Sequence, residues 1–398
     1  MKKFYTIFIL ILSGLLYSCN DESEDTVDLV DETEDTTDPD TTEPTLVIPE
    51  TYSFNRDGTS SVSYTGQTSR LEMAAEMGNH LNDETITKTE LEAMFNEGTG
   101  FDNSDLDGSG KKLGNKTASS SKASSTVKSQ FDSLIVYFTR DVAPAVANAT
   151  DADSAVAGIY TDPGADGRTV KINAKGHEIN QLFIKGLMGA LVADQIIWGY
   201  LTTSKLDGGT NKADNDAGTL VDGKSYTTME HYWDEGFGYL YGMDTDISNS
   251  SIEGSDVLVS KYLAKVDGSS LPGIAKEIYD AFKHGRAAIV AGDYTTRDQQ
   301  AEIIKTKISH IIGRKAADYL KSGASKIKDG KWADAHHALS EGWGFILSLQ
   351  FTKNPSTGEP YYSNTEVNQM LNDIDNFWAV STTDLESMAS SIESKFGF

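Results

Sequence analysis

The chain has one cysteine in 398 residues, at position 19. With no second thiol there is no disulfide framework, and the body beyond that position has no thiolate for metal binding or nucleophilic attack. Basic stripes are missing too. The formal net charge is −26, and an overall field of that sign repels phosphate, which excludes nucleic acid as a partner. No Walker, Rossmann or G-x-S-x-G fingerprint stands in a strand–turn–helix setting. No tetratricopeptide, ankyrin or leucine-rich period runs through the chain.

What is present begins with a leader. Lys2 and Lys3 precede a short apolar run, residues 4–16, too short for a comfortable membrane span. Leu16-Tyr17-Ser18-Cys19 then resembles the lipobox of bacterial lipoproteins, in which cleavage leaves the Cys as the lipidated first residue. Residues 1–18 are therefore expected to be a signal peptide, with Cys19 the lipidation site. Residues 20–50 hold thirteen Asp or Glu and no Lys or Arg. Such a segment cannot bury enough apolar surface to offset its ordering entropy and reads as a self-repelling tether. Its start, "CNDESED", resembles the surface-export signal of Bacteroidota lipoproteins.

From residue 51 a short extended segment, with one or two strands in "VSYTG", gives way to a helical period. The pattern predicts helices over 70–81, from the Thr87–Glu90 capping box to about 97, over 127–148 with a bend at Pro144, and over 173–205. The last is apolar around most of its circumference and is expected to be central and buried. Further helices are predicted over 228–241, 272–292, 295–321, 332–351, 364–380 and 383–396. The expected fold is mainly α: a helical bundle built of two related halves, about 70–245 and 255–398, in one domain spanning 51–398.

The repeat claim rests on two stretches, "MEHYWDEGFGYLY" (229–241) and "AHHALSEGWGFIL" (335–347). Both contain His-x-x-x-Glu-Gly-aromatic-Gly, with His231 over His337 and Glu235 over Glu341. His and Glu at i and i+4 share a helix face, with Cβ atoms about 5–6 Å apart. If the two helices faced each other, these four side chains would form a two-imidazole, two-carboxylate cluster suited to iron, zinc or manganese. The competing reading is packing. Gly236, Gly238, Gly342 and Gly344 each cost about 1 kcal/mol in a helix interior, and close helix approach is the simplest compensation. Each Glu is then a buried acceptor. Glu178, Gln181 and Lys185 add a polar stripe at i, i+3 and i+7 of the central helix, and buried charges need partners. A weaker candidate is "NSDLDGSGKKLG" (103–114). Its Asn103, Asp105, Asp107 and Gly108 mimic an EF-hand opening, but Gly114 stands where the bidentate Glu is required.

The blocks "KGHEINQLFIKGLMGALVADQ", "HYWDEGFGYLYG" and "HALSEGWGFILSLQF" resemble the Bacteroidota lipoproteins catalogued as domain of unknown function 4856. More distantly the chain is similar to imelysin-like proteins, duplicated helical bundles of the envelope linked to iron uptake and sometimes classed as metallopeptidases. Their Gly-x-His-x-x-Glu hallmark is not met. Asp234, Ser340 and Asn180 stand three after His231, His337 and His177, and none of these His has Gly two before it. The likeness implies the fold and an envelope role, not catalysis.

The expectation is a non-enzymatic, lipid-anchored envelope protein that binds a metal ion or iron-containing ligand beside an outer-membrane transporter. The alternatives are a metal-dependent hydrolase, with Glu235 or Glu341 as base, and a partner-docking scaffold without a small-molecule site.

Overall fold

The computed structural model describes residues 46–163, 167–244, 246–250 and 258–398. The leader, Cys19 and the tether up to residue 45 lie outside the described residues. A compact unit begins at Pro44 and runs to the C-terminus.

The described chain enters as a strap, residues 46–63, containing a two-residue hairpin of Asn55–Arg56 against Thr59–Ser60. Helix α1 is Thr65–His80 and α2 is Val127–Tyr137. The predicted bend after α2 is present: wider π-type turns, Phe138–Val142, lead into Ala143–Ala147 with Pro144 in its first turn. An antiparallel hairpin of β1 (Gly158–Thr161) and β2 (Thr169–Ile172) follows.

The central helix begins at α3 (Ile179–Leu187) and continues as thirteen residues of π-type turns, Met188–Tyr200. It starts later than its apolar pattern predicts, because the Asn173 side chain accepts the N–H groups of Lys175 and His177 and ties residues 173–177 into a turn. It is long and apolar enough to cross a membrane, yet 89% of its most apolar 18-residue stretch is buried inside the protein. The wide turns have visible causes. The Ala190 carbonyl accepts from Ala118 N–H at 2.6 Å, and the Gly189 N–H donates to Ser348 Oγ at 2.9 Å. Such insertions into the helical ladder open its turns.

Helices α4 (Thr228–Tyr241), α5 (Val259–Asp267), α6 (Ile274–Ala291), α7 (Tyr294–Lys328) and α8 (Trp332–Ser348) follow. Finally come α9 (Asn364–Asp373) and α10 (Thr382–Phe396). The start of α4 is fixed by a capping box in which Thr227 and Glu230 serve each other. The 35-residue α7 lies along α6, α8 and α10, and α8 lies along α3. The fold is mainly helical, as expected. The two predicted halves do not have separate cores: one apolar cluster runs from Tyr52 to Phe396.

Candidate functional site

The second motif sits on α8 against the start of the central helix. His337 Nδ1 is 2.7 Å from Glu178 Oε2, and its Nε2 is 3.6 Å from Glu341 Oε2. Glu341 Oε1 accepts from Tyr262 Oη at 2.9 Å and lies 3.4 Å from Lys185 Nζ. Tyr319 Oη reaches Tyr262 Oη at 3.4 Å. Burial pushes the Glu341 carboxyl up, but Lys185, His337 and the tyrosine hydroxyls outweigh it and leave it below the usual range. Burial pulls Lys185 below its ordinary value against the attraction of Glu341. The sequence-derived stripe therefore finds its partners: Glu178 and Lys185 meet His337 and Glu341 as one buried network. Gln181 lies half-buried beside it.

Close helix approach accounts for the glycines. A Cβ on Gly344 would come within 2.4 Å of Lys185 Cβ and 2.6 Å of the Gly186 nitrogen, so α8 and α3 meet nearly backbone to backbone. On α4, a Cβ on Gly238 would lie 2.4 Å from Tyr64 Cβ. Gly342 and Gly236 face Tyr319 at 3.2 Å and Leu201 at 3.0 Å.

The first motif, on α4, forms a different and separate site. Glu235 Oε1 accepts from Gln67 Nε2 at 2.9 Å and from Tyr200 Oη at 3.4 Å, at the far end of the central helix. His231 Nε2 is 3.9 Å from Glu235, and its ring stacks on Tyr226 with centroids 4.6 Å apart. Burial holds the His231 imidazole below its usual pKa, with Glu235 opposing. One motif thus lies at each end of the central helix. The four-ligand centre imagined for His231, Glu235, His337 and Glu341 does not assemble, because each pair is engaged with its own neighbours. Both ring nitrogens of His337 face a different carboxylate, an arrangement of a bridging imidazole and not of a shared ion.

The calcium-like loop is likewise spent on local structure. Asp107 accepts from the Gly100 and Phe101 N–H groups, and Asn103 accepts from Asp105 N–H to cap a short helix.

Sequence reasoning missed the most deeply buried charge cluster. Arg286 on α6 is fully buried, with Nη1 2.8 Å from Glu230 Oε1 and Nε 3.1 Å from Asp234 Oδ1. Arg56 joins Glu230 at 2.9 Å, Tyr52 Oη donates to Asp234 at 2.7 Å, and Ser63 N–H donates to its other oxygen at 3.2 Å. Burial pushes the Asp234 carboxyl up to about 6, with Arg286 restraining it. The signal was an Arg directly before the apolar run "AAIVA" (287–291), together with acids at i and i+4 on α4. Two more buried groups also escaped notice. Asp194, inside the wide-turn segment, accepts from Ser119 and Ser120 N–H at 3.0 Å each. His336 is fully buried among Tyr160, Trp332, Phe377 and Trp378.

An open groove of about 850 Å³ lies on the other side of the α3–α8 contact. Leu134, Tyr137, Arg140, Lys175, His177 and Trp343 are among its lining. Trp343 is the aromatic residue of the second motif. His177 Nε2 pairs with the Asp375 carbonyl at 2.8 Å, and burial lowers its pKa to about 4, so it is neutral and a donor there. Arg140 and Lys175 stand at the rim, half or more exposed, each with an acidic neighbour.

The described residues thus form a mainly helical body with polar contacts at both ends of a central helix and an open groove beside one of them. Residues 49–398 match the family model described as Domain of unknown function (DUF4856), and the chain belongs to that family. Neither curated proteins nor solved structures give a match.

Proposed function

We propose that the chain is a lipid-anchored protein of the cell envelope that binds an iron-containing small molecule without transforming it, in the groove floored by Trp343. The observation that carries this reading is the contrast in access. The motif carboxylates are already engaged by protein groups, whereas Trp343 and Tyr137 present an indole and a phenol to an open cavity, with Arg140 and Lys175 beside their partners Asp141 and Asp375. That combination suits a planar ligand with polar substituents, such as an iron chelate or haem. Cys19 and the acidic tether support anchoring by acyl chains, and the proposed setting is the outer membrane beside a transporter. The hydrolase alternative has less support, because Glu235 and Glu341 are held by neighbouring donors instead of facing a water-filled opening. The likeness between the two motifs favours a repeated ancestry for the halves.

Titration with haem and with a ferric chelate, followed by tryptophan fluorescence and calorimetry, tests this. Binding at micromolar concentration, weakened at least tenfold by Trp343→Ala, is the expected result. No binding tighter than millimolar, or binding that Trp343→Ala leaves unchanged, overturns it. Cys19→Ala should move the protein from the membrane to the soluble fraction, because stable attachment depends on the acyl chains.

A further inference from the structure

A separate cluster, sharing no residue with either motif or with the groove lining, lies at the end of α1. Glu76 and His80 are four residues apart on one helix face, in the last turns of α1. The loop after Gly98 brings Asp102 to the same place. Its position is fixed from several sides: Phe101 is buried in the core, Asp107 holds the Gly100 and Phe101 amides, and the Glu76 carboxylate accepts the Asp102 N–H itself and approaches that of Asn103. The residues flanking Asp102 are thus committed to structure, while its own side chain is 84% exposed.

Between these carboxylates stands His80 Nε2, 3.6 Å from Glu76 Oε1 and 3.5 Å from Asp102 Oδ2. The atom is removed from solvent and has no hydrogen-bond partner. An orphaned buried ring nitrogen facing two carboxylate oxygens needs an explanation. The separations supply one. They are too long for good hydrogen bonds. They match the edges of a coordination polyhedron, because ligands about 2.0–2.1 Å from a tetrahedral ion are about 3.3–3.4 Å from each other. All three ligand atoms lie within 4.8 Å of one another, and among the described residues this is the His/Cys/Asp/Glu group that meets that condition. The Asp102 N–H on Glu76 gives one ligand the kind of orienting hydrogen bond that metal-binding carboxylates carry.

We propose that Glu76, His80 and Asp102 form a binding site for a first-row divalent cation, zinc or manganese by the donor set. One imidazole nitrogen and two carboxylate oxygens suit these ions. The imidazole argues against calcium, which takes oxygen ligands. The exposed side of Asp102 leaves the remaining coordination positions to water. The bound ion would pin the loop after Gly98 to α1, adding a metal tie to the hydrogen bonds that already hold it there.

The test is equilibrium dialysis and calorimetry of the intact protein, freed of metal by chelation, against zinc and then manganese. One equivalent should bind at micromolar concentration. His80→Ala should weaken it by more than the ten- to hundredfold typical of losing a supporting residue. Asp102→Asn, at an exposed side chain that cannot disturb the core, should weaken it at least tenfold. Asp105→Asn, in the same loop but outside the cluster, should leave it unchanged. The thermal midpoint should rise with zinc in the parent and not in Asp102→Asn. Overturning results are absence of binding tighter than millimolar, or micromolar binding that survives both His80→Ala and Asp102→Asn.

Discussion

Phe237 and Trp343 hold the same place in the two Gly-aromatic-Gly stretches, yet one is sealed and the other open. Phe237 is fully buried, stacked on Tyr52 at 3.7 Å and on Tyr241 at 4.6 Å. Trp343 is half-buried at the edge of the core and lines a groove. The cause lies outside the motif. The strap crosses α4, placing Tyr52 on Phe237 and Tyr64 against Gly238, and the Arg286 cluster clamps it there. On α8 the β1–β2 hairpin packs near the start, at Ala333, and among the described residues no such strap covers Trp343, which faces a cavity. A pattern of residues sets which groups share a helix face; what covers that face decides whether it is core or binding surface.

Truncation at the two aromatic positions should break the comparison most visibly. Phe237→Ala should cost about 3–5 kcal/mol of stability, as expected for a large side chain lost from a closed core. Trp343→Ala should stay within about 1 kcal/mol. Equal losses in chemical denaturation would show that the groove is not open at Trp343.

The two glutamates sharpen the contrast at smaller magnitude. Removing charge alone should be mild at Glu235, under about 1 kcal/mol, because Gln67 and Tyr200 are neutral donors that an amide oxygen also satisfies. At Glu341 the same change leaves the buried Lys185 ammonium without its counter-charge, and Glu341→Gln should cost about 3 kcal/mol. Lys185→Met should recover part of that loss when combined with it. Matching denaturation curves for Glu235→Gln and Glu341→Gln would refute the assignment.

The third effect is a slope. Burial, with His177 nearby, lowers the His336 pKa to about 3, whereas the unfolded chain takes up that proton near 6.5. Below about 6.5 the unfolded state therefore binds more protons, and stability falls with pH by about 1.4 kcal/mol per unit from this residue, down to about pH 3. Asp234, with its pKa raised to about 6, acts in the opposite direction between about 6 and 4, so the wild-type curve alone does not isolate His336. His336→Phe, which suits the surrounding rings, should flatten the decline by that amount. Parallel curves for the two proteins would mean that His336 does not titrate between the states.

Much of the helical outline was legible, because apolar period and capping boxes are local. The start of α4 at Thr228 and the bend before Pro144 follow directly from such signals. The polar stripe was legible for the same reason: Glu178 and Lys185 are out of place on an apolar helix. What could not be seen was pairing. Nothing in the spacing of His231 and His337 tells that they lie at opposite ends of one helix, since that depends on how α4 and α8 pack. The hairpin of β1 and β2 was missed because its strands are four residues each and one lies beside the apolar period of α3. Helix α5 was missed behind a polar loop. The wide turns of Met188–Tyr200 depend on Ala118 and Ser348, distant in sequence, and no local rule encodes them.

The clamp on the strap has a mechanical consequence. A pull on residue 46 from its N-terminal side is met by Leu46 against the core, by Lys283 on the Glu50 carbonyl, and then by Tyr52, Arg56 and Ser63, bonded to Asp234 and Glu230. Contacts spread along the strap share that load. The far ends of that lattice are anchored in α4 and α6 through Arg286. Tension on the strap is thus passed into two helices, α4 and α6, neither of which lines the Trp343 groove, so the groove can keep its shape under that load.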